Sequence, residues 1–199
     1  HEQLFALGAA LVEAAGSARS DRSLEVLSRL GAYIARHFAT EENLMRETAY
    51  PAMAVHLAEH RALQATYARV VAAFARYGDE ARVADAVEAE IMGWLEHHVR
   101  TSDLALARHV SASVERGERS PTAAAFQMVE LMACIDDASQ LEPAHPTLRE
   151  PWLRTCADAR AELASIFARI KERAPDAFAR DGAFDRYATT VAGRGAKRA

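Results

Sequence analysis

The stretch from His37 to His60 constrains this chain more than any other, because it places metal-binding side chains at helical spacing. His37 and Glu41 lie four residues apart, and so do His56 and His60. Four residues on an α-helix turn through about 400°, so each pair projects from one face of its helix. Imidazole combined with carboxylate suits iron or zinc better than calcium or magnesium. A single such pair is more often a solvated polar pair, so the rest of the chain has to decide between these interpretations.

The hydrophobic pattern around these pairs predicts an all-α protein. Half of the 199 residues are hydrophobic, and glycine and proline are few, a composition that favours helices. Helical spacing predicts a first helix ending near Gly16, a second running from Asp21 to a break at Tyr50, a third ending at Gly78, and a fourth carrying His98. Because the links are short, we expect an antiparallel up-down-up-down four-helix bundle with an additional C-terminal helical extension.

The metal-capable residues fall on the predicted inner faces of these helices. Burying an ionised side chain without a partner costs several kcal/mol, so a compensating group such as a metal is expected there. His98 and Asp103 are five residues apart, which puts them about 140° apart on a regular helix. Either the helix widens locally as a π-bulge, or Asp103 reaches the centre from the flank; the spacing leaves both open.

Seven residues resemble, in order and spacing, the metal ligands of the hemerythrin family: His1, His37, Glu41, His56, His60, His98 and Asp103. The resemblance covers residues 1–110 and is most specific in the block His-Phe-Ala-Thr-Glu-Glu that begins at His37. It implies a non-haem centre of two Fe ions joined by an oxygen bridge. By the same resemblance, one iron is held by His56, His60 and His98, and the other by His1 and His37. The carboxylates of Glu41 and Asp103 bridge the two irons in this assignment.

The resemblance implies that the iron with only two histidines binds O2. Imidazole-rich ligation leaves the reduced pair short of full neutralisation, and the chain lacks the paired Glu-x-x-His repeats of di-iron oxygenases. We therefore expect reversible O2 binding for carriage, storage or sensing, and not an enzyme. The alternatives are a di-iron oxidase, peroxidase or nitric-oxide-handling enzyme at the same centre, and a structural module whose histidines bind zinc or nothing. An apolar wall is expected to exclude water: Ile34, Phe38, Leu63, Ile91 and Trp94.

Other polar residues near the candidate ligands receive lesser roles. His97 points about 100° away from its neighbour His98 and is expected at the surface. Glu42 and Glu59 are expected to be solvated charges, with the alternative that they accept hydrogen bonds from ligating imidazoles. No role is assigned to two further histidines, His109 and His145.

Residues 111–199 carry no recognised motif and are expected to form a helical extension of unknown role. Ser120-Pro121 opens one predicted helix, a proline-bearing turn spans Pro143 to Pro151, and a second helix repeats apolar residues from Trp152 to Ile170. The tail 193–199 is expected to be disordered. We expect the extension to be dispensable for the metal centre. Its helices are expected to form a hairpin that packs against the bundle or against a second copy, with the alternative that they connect the domain to a regulatory partner.

Charge and cysteine content bear on partners and compartment. A net charge of −4 with interspersed signs gives no reason to expect nucleic acid or an anionic membrane as a partner. No apolar run reaches the roughly 18 residues of a membrane span, so we expect a cytoplasmic protein. Cys134 and Cys156 are expected to be buried, reduced thiols. The chain begins at His1 without an initiator methionine, which is typical of a trimmed fragment.

Overall fold

The helical prediction can be compared with a computed structural model that describes residues 21–79, 85–141, 146–175 and 178. These ranges contain no strand and five helices of 18 residues or more: α1 (Asp21–Glu47), α2 (Met53–Tyr77), α3 (85–115), α4 (Pro121–Ala138) and α5 (Pro146–Glu172). The all-α prediction is therefore confirmed. The predicted first helix, which ends near Gly16, and the tail 193–199 lie outside the described residues, so the complete four-helix arrangement stays a prediction.

Helices α1 and α2 pack closely and run antiparallel. The Tyr67 hydroxyl donates a hydrogen bond of 2.8 Å to the Leu27 carbonyl, whereas the Phe38 ring stacks on His60 with 3.6 Å between ring centroids. Later residues of α1 thus meet earlier residues of α2. A Cβ atom at Gly31 would lie 2.3 Å from the Tyr67 hydroxyl oxygen, so the absence of a side chain at Gly31 permits this approach.

The ends of α1 and α2 follow the turn signals in the sequence. After α1, Ala49 takes a left-handed φ of 47°, and the Tyr50 N–H donates to the Met45 carbonyl at 3.0 Å. After α2, Gly78 has a φ of 61° and its N–H donates to the Phe74 carbonyl. Both pairings satisfy carbonyls that a helix leaves open at its C-terminus. The predicted break near Tyr50 and the stop at Gly78 are confirmed.

Helix α3 changes its winding along its length. It is a π-helix over Val87–Met92, an α-helix over Gly93–His98, a π-helix again over Val99–Asp103, and an α-helix over Leu104–Glu115. In a π-helix the backbone bonds join residues five apart, so the winding takes more residues for each turn. The second π segment therefore decides which way Asp103 points relative to His98.

Helices α4 and α5 form an antiparallel hairpin. Pro121 is the first residue of α4, as predicted, and it follows an extended Ser120 whose side chain makes no capping bond. The predicted turn from Pro143 to Pro151 was wrong in its second half, because α5 already begins at Pro146 and contains Pro151. A proline near the start of a helix removes few backbone bonds. The neighbouring Trp152 is buried and donates to the carbonyl of the last α4 residue at 3.0 Å.

One hydrophobic core joins all five helices, because buried apolar side chains of α4 and α5 belong to the same cluster as those of α1 to α3. At its edge, Arg36 of α1 pairs with Asp137 of α4, and Arg108 of α3 donates to Glu162 of α5 at 2.7 Å. Cys134 and Cys156 are buried and free, as predicted. Among the described residues, none of the helices combines the length and apolar character needed to cross a bilayer.

Candidate metal centre

Helices α1, α2 and α3 bring six of the seven predicted ligands together in the interior: His37, Glu41, His56, His60, His98 and Asp103. No side chain of this set belongs to a residue more than 6 % exposed. The seventh predicted ligand, His1, lies outside the described residues. The convergence follows from helical spacing within α1 and α2, and from the packing of these helices against α3.

Four of these residues form a first cluster, in which one ligand atom from each lies within 4.8 Å of all the others: Glu41, His56, His60 and His98. Glu41 lies at its centre, because its Oε2 atom is 3.3 Å from Nε2 of His56 and 3.2 Å from Nε2 of His60. The same oxygen is 4.0 Å from Nε2 of His98. Three imidazole nitrogens and a carboxylate oxygen at such distances surround a space suited to one transition-metal ion.

A second cluster shares Glu41 with the first and adds His37 and Asp103, again within 4.8 Å. The two carboxylate oxygens of Asp103 face different clusters. Its Oδ2 atom is 3.1 Å from Nε2 of His37, and its Oδ1 atom is 3.0 Å from Nε2 of His98. Glu41 and Asp103 are thus both placed to contact ions in either cluster.

Unsatisfied polar atoms test whether a metal fits this arrangement. Both carboxylate oxygens of Glu41, Nε2 of His60 and Oδ1 of Asp103 are buried and have no hydrogen-bond partner among the described residues. Nε2 of His56 faces Nε2 of His98 at 3.1 Å, where neutral rings can share at most one proton. Leaving such groups buried and unpaired is costly, and metal cations would satisfy all of them. The donor set therefore fits bound transition-metal ions.

Two glutamates outside the cluster contact imidazoles of the candidate ligands. Nδ1 of His60 hydrogen-bonds Glu42 at 3.3 Å, and Nδ1 of His98 lies 3.0 Å from a carboxylate oxygen of Glu59. Ser102 in turn donates to Glu59 at 2.6 Å. Protonation at Nδ1 leaves the Nε2 lone pair free to face the cluster. For Glu42 the alternative is supported, because its carboxylate pairs with an imidazole of the neighbouring helix. Glu59 lies beside His98, while 37% of its side chain stays exposed.

The π-helical segment Val99–Asp103 decides how His98 and Asp103 meet. On a regular α-helix their side chains would diverge by about 140°. With π winding, residues five apart come close to one face, and the two side chains approach to 3.0 Å. Of the two alternatives that the spacing left open, the π-bulge is confirmed.

The electrostatics of the second cluster favour opposite charges on its members. Burial alone would lower the pKa of His37, but the carboxylates of Glu41 and Asp103 outweigh it and raise that pKa well above its ordinary value. Burial alone would raise the pKa of Asp103, whereas His37 and His98 hold it well below its ordinary value. Both shifts have the same cause, which is the attraction between buried imidazoles and the carboxylates beside them.

Aromatic rings cover the imidazoles. The Phe38 ring lies nearly parallel to that of His60, and the Trp94 ring stacks on His98 with 4.3 Å between centroids. Trp94 of the predicted apolar wall is half-buried. The other four members of this wall are fully buried: Ile34, Phe38, Leu63 and Ile91. Water is therefore largely excluded from the three-histidine side of the site.

Tyr33 is the neighbour that sequence reasoning missed. Its ring stacks on His37 with 5.3 Å between centroids, and its buried hydroxyl has no hydrogen-bond partner among the described residues. Burial raises the pKa of this phenol far above its ordinary value. The signal was present in the sequence, because Tyr33 precedes His37 by four residues and so shares its helix face.

Two other histidines of the described residues, His97 and His109, lie outside the clusters. His97 is exposed, as predicted. His109 lies 3.0 Å from the Thr48 carbonyl through Nε2 and packs edge-on against Tyr50, so it ties α3 to the turn after α1. His145 lies outside the described residues.

A cavity of about 10 Å³ borders the second cluster. Its polar wall is formed by His37, Glu41 and Asp103, and its apolar wall includes residues from both helices of the extension: Leu131, Ile135, Ala159 and Leu163. The hairpin therefore covers one side of the site. This packing argues against the expectation that the extension is dispensable for the metal centre, because its removal would expose the buried carboxylates to water.

Comparisons with known proteins agree with the geometry. A family model described as the Hemerythrin HHE cation binding domain matches residues 1–110. The chain is 32% identical over 95 residues to a protein named Bacteriohemerythrin from Stenotrophomonas maltophilia (strain R551-3). That alignment covers 48% of this chain and 60% of the relative. No solved structure matches the chain significantly.

Proposed function

Because this chain belongs to the hemerythrin family, we propose that it is a non-haem di-iron protein that binds O2 reversibly, for carriage, storage or sensing. The observation that carries the proposal is the pair of buried donor clusters that share Glu41 and are both faced by Asp103. Histidines and carboxylates exposed to water would hydrogen-bond to it, whereas several donor atoms of this site are buried and have no hydrogen-bond partner among the described residues.

The proposed ligand assignment follows the two clusters. One iron would be held by His56, His60 and His98, and the other by His37 together with His1, which the family resemblance adds. Glu41 and Asp103 would contact both ions. When bound, the iron pair supplies reducing equivalents and a position for O2.

Residues around the ligands account for the stability of such a centre. Glu42 and Glu59 hold the imidazoles of His60 and His98 in the tautomer that a metal requires. Phe38 and Trp94 keep water from those rings, which slows loss of the reduced state. An imidazole-rich donor set favours reversible binding over oxygen activation.

Iron analysis followed by one spectroscopic cycle tests this proposal. We expect two irons per chain, and we expect protein reduced without air, exposed to O2 and then placed under vacuum to return to its reduced spectrum. Consumption of O2 without that return would favour the oxidase or peroxidase alternative. One metal per chain, or a preference for zinc, would contradict the di-iron assignment.

A matched pair of variants controls for nonspecific effects. His98→Ala removes a proposed ligand, whereas His97→Ala changes an adjacent exposed histidine. Iron should be lost only in the first variant. Equal loss in both variants would show that iron is retained by something other than the assigned cluster.

Location and partners belong to the same proposal. The buried, free thiols of Cys134 and Cys156 suit the reducing cytoplasm. A second copy or a regulatory partner would dock through the outer faces of α4 and α5. Size-exclusion chromatography with light scattering tests self-association.

A further inference from the structure

The cavity beside the second cluster has walls of two different origins. Its polar side is made by His37, Glu41 and Asp103, whereas four apolar side chains come from α4 and α5: Leu131, Ile135, Ala159 and Leu163. These two helices follow residue 110, where the hemerythrin match ends. The pocket next to the site is therefore completed by a part of the chain that the family domain does not include.

The cavity is lined by all three members of the second cluster, but Glu41, which the clusters share, is the one member of the first cluster in its lining. Its lining includes His37 but none of the three histidines of the first cluster: His56, His60 and His98. Among the described residues, the cluster that it borders has one nitrogen donor, whereas the other has three. A molecule in the cavity would thus lie next to the metal position that has fewer nitrogen donors among the described residues.

Size and polarity restrict what can enter. A volume of about 10 Å³ is near the minimum that holds one water-sized molecule. The walls supplied by the extension offer no hydrogen-bond partner, so they favour a small uncharged molecule over water or a hydrated anion. Buried packing around Leu131 and Ala159, which are 3% and 1% exposed, leaves no wide opening on this side.

We propose that the α4–α5 hairpin is the selectivity element of the site, and that it limits access to the His37 cluster to molecules of diatomic size. The inference rests on the proposed function, because it concerns the ligand of the same centre. Leu131 and Ala159 both line the pocket, whereas the three histidines of the first cluster do not.

Two substitutions change the pocket in opposite directions. Leu131→Ala enlarges it by removing a branched side chain, and Ala159→Val narrows it with two added methyl groups. Ile166→Val is the matched control, because Ile166 is buried on α5 and does not line the cavity. All three variants are made in the full chain.

The first measurement uses metal-free protein and xenon as an apolar probe, followed by NMR. Leu131→Ala should bind xenon, whereas the unaltered protein and Ile166→Val should not. The second uses stopped-flow absorbance of iron-loaded, reduced protein mixed with nitric oxide, an uncharged diatomic probe. Ala159→Val should slow nitric oxide association about tenfold, and Leu131→Ala should accelerate it by a similar factor, with iron content unchanged.

The outcomes separate this inference from the proposed function. Nitric oxide association rates in both pocket variants equal to that of Ile166→Val would overturn the inference, as would absence of xenon from folded Leu131→Ala. If Leu131→Ala does not fold, the nitric oxide association rate of Ala159→Val decides alone. Failure of reversible O2 binding would contradict the proposed function, yet it would leave the xenon and nitric oxide comparisons intact.

Discussion

The close approach of α1 and α2 at Gly31 gives the sharpest test of the packing that positions the site. Replacing Gly31 with alanine puts a Cβ atom 2.3 Å from the Tyr67 hydroxyl oxygen and 2.8 Å from the ring carbon that bears it. Tyr67 is fully buried and donates to the Leu27 carbonyl, so its ring has little room to retreat. We expect Gly31→Ala to force the helices apart or to break this hydrogen bond.

The expected change in the free energy of unfolding combines two destabilising contributions and one stabilising contribution. Overpacking of a buried site costs about 1–3 kcal/mol, and loss of the Tyr67 hydrogen bond costs about 1 kcal/mol. Alanine in place of a helical glycine contributes about 0.5–1 kcal/mol of stabilisation. The net expectation is that Gly31→Ala lowers the free energy of unfolding by about 1–3 kcal/mol, or the melting temperature by roughly 2–10 °C for a chain of this size.

Gly93→Ala provides the control. Gly93 lies inside α3 with helical dihedral angles, φ −63° and ψ −37°, and a Cβ atom there would meet nothing within 4 Å. The same substitution should therefore stabilise by about 0.5–1 kcal/mol. Urea unfolding of the metal-free variants, followed by circular dichroism, measures both. If Gly31→Ala unfolds at the same or a higher urea concentration than Gly93→Ala, the close approach of Tyr67 to α1 is wrong.

Four further predictions concern single residues. Glu41→Ala should lose iron from both positions, because Glu41 belongs to both clusters, and metal analysis showing one retained iron would contradict the bridging assignment. Ala49→Gly should raise the free energy of unfolding by about 1 kcal/mol, since Ala49 has a positive φ; urea unfolding at an unchanged midpoint would count against that backbone. Tyr33→Phe should leave metal-free stability unchanged or raise it by up to about 1 kcal/mol in the same urea assay, because the lost hydroxyl has no described partner, whereas a clear loss would reveal one. Burial, with a contribution from Asp136, raises the pKa of Cys156 to about 12, so iodoacetamide at pH 8 should modify this residue only after unfolding, as mass spectrometry can show.

Helical periodicity predicted the parts of the site that depend on one helix at a time. The pairs His37 with Glu41 and His56 with His60 each lie on one face, and both meet in the interior as expected. The helix ends near Tyr50 and Gly78 could also be predicted from the sequence, because turns depend on the residues that form them. These features need only the geometry of a single helix.

Features that depend on contacts between helices could not be predicted from the sequence. Spacing alone could not choose the π winding at Val99–Asp103, because that choice depends on what Asp103 meets across the core. The roles of Glu42 and Glu59 depend on imidazoles of neighbouring helices. The amphipathic pattern of α4 and α5 showed that these helices bury a face, but it did not identify the metal site as the surface that they cover.

The π segment Val99–Asp103 also shifts the angular position of every α3 residue that follows it. Each residue of a regular α-helix advances by about 100°, so one additional residue in a turn sets everything after Asp103 back by about that angle. Before the segment His98 faces Glu59 of α2, and after it Arg108 faces Glu162 of α5. Deleting a single residue between Val99 and Asp103 would barely shorten the helix, yet it would swing the α5-facing side of Leu104–Glu115 away from its partner. The five residues that aim Asp103 into the core thus also set the angle at which the extension meets the rest of the protein.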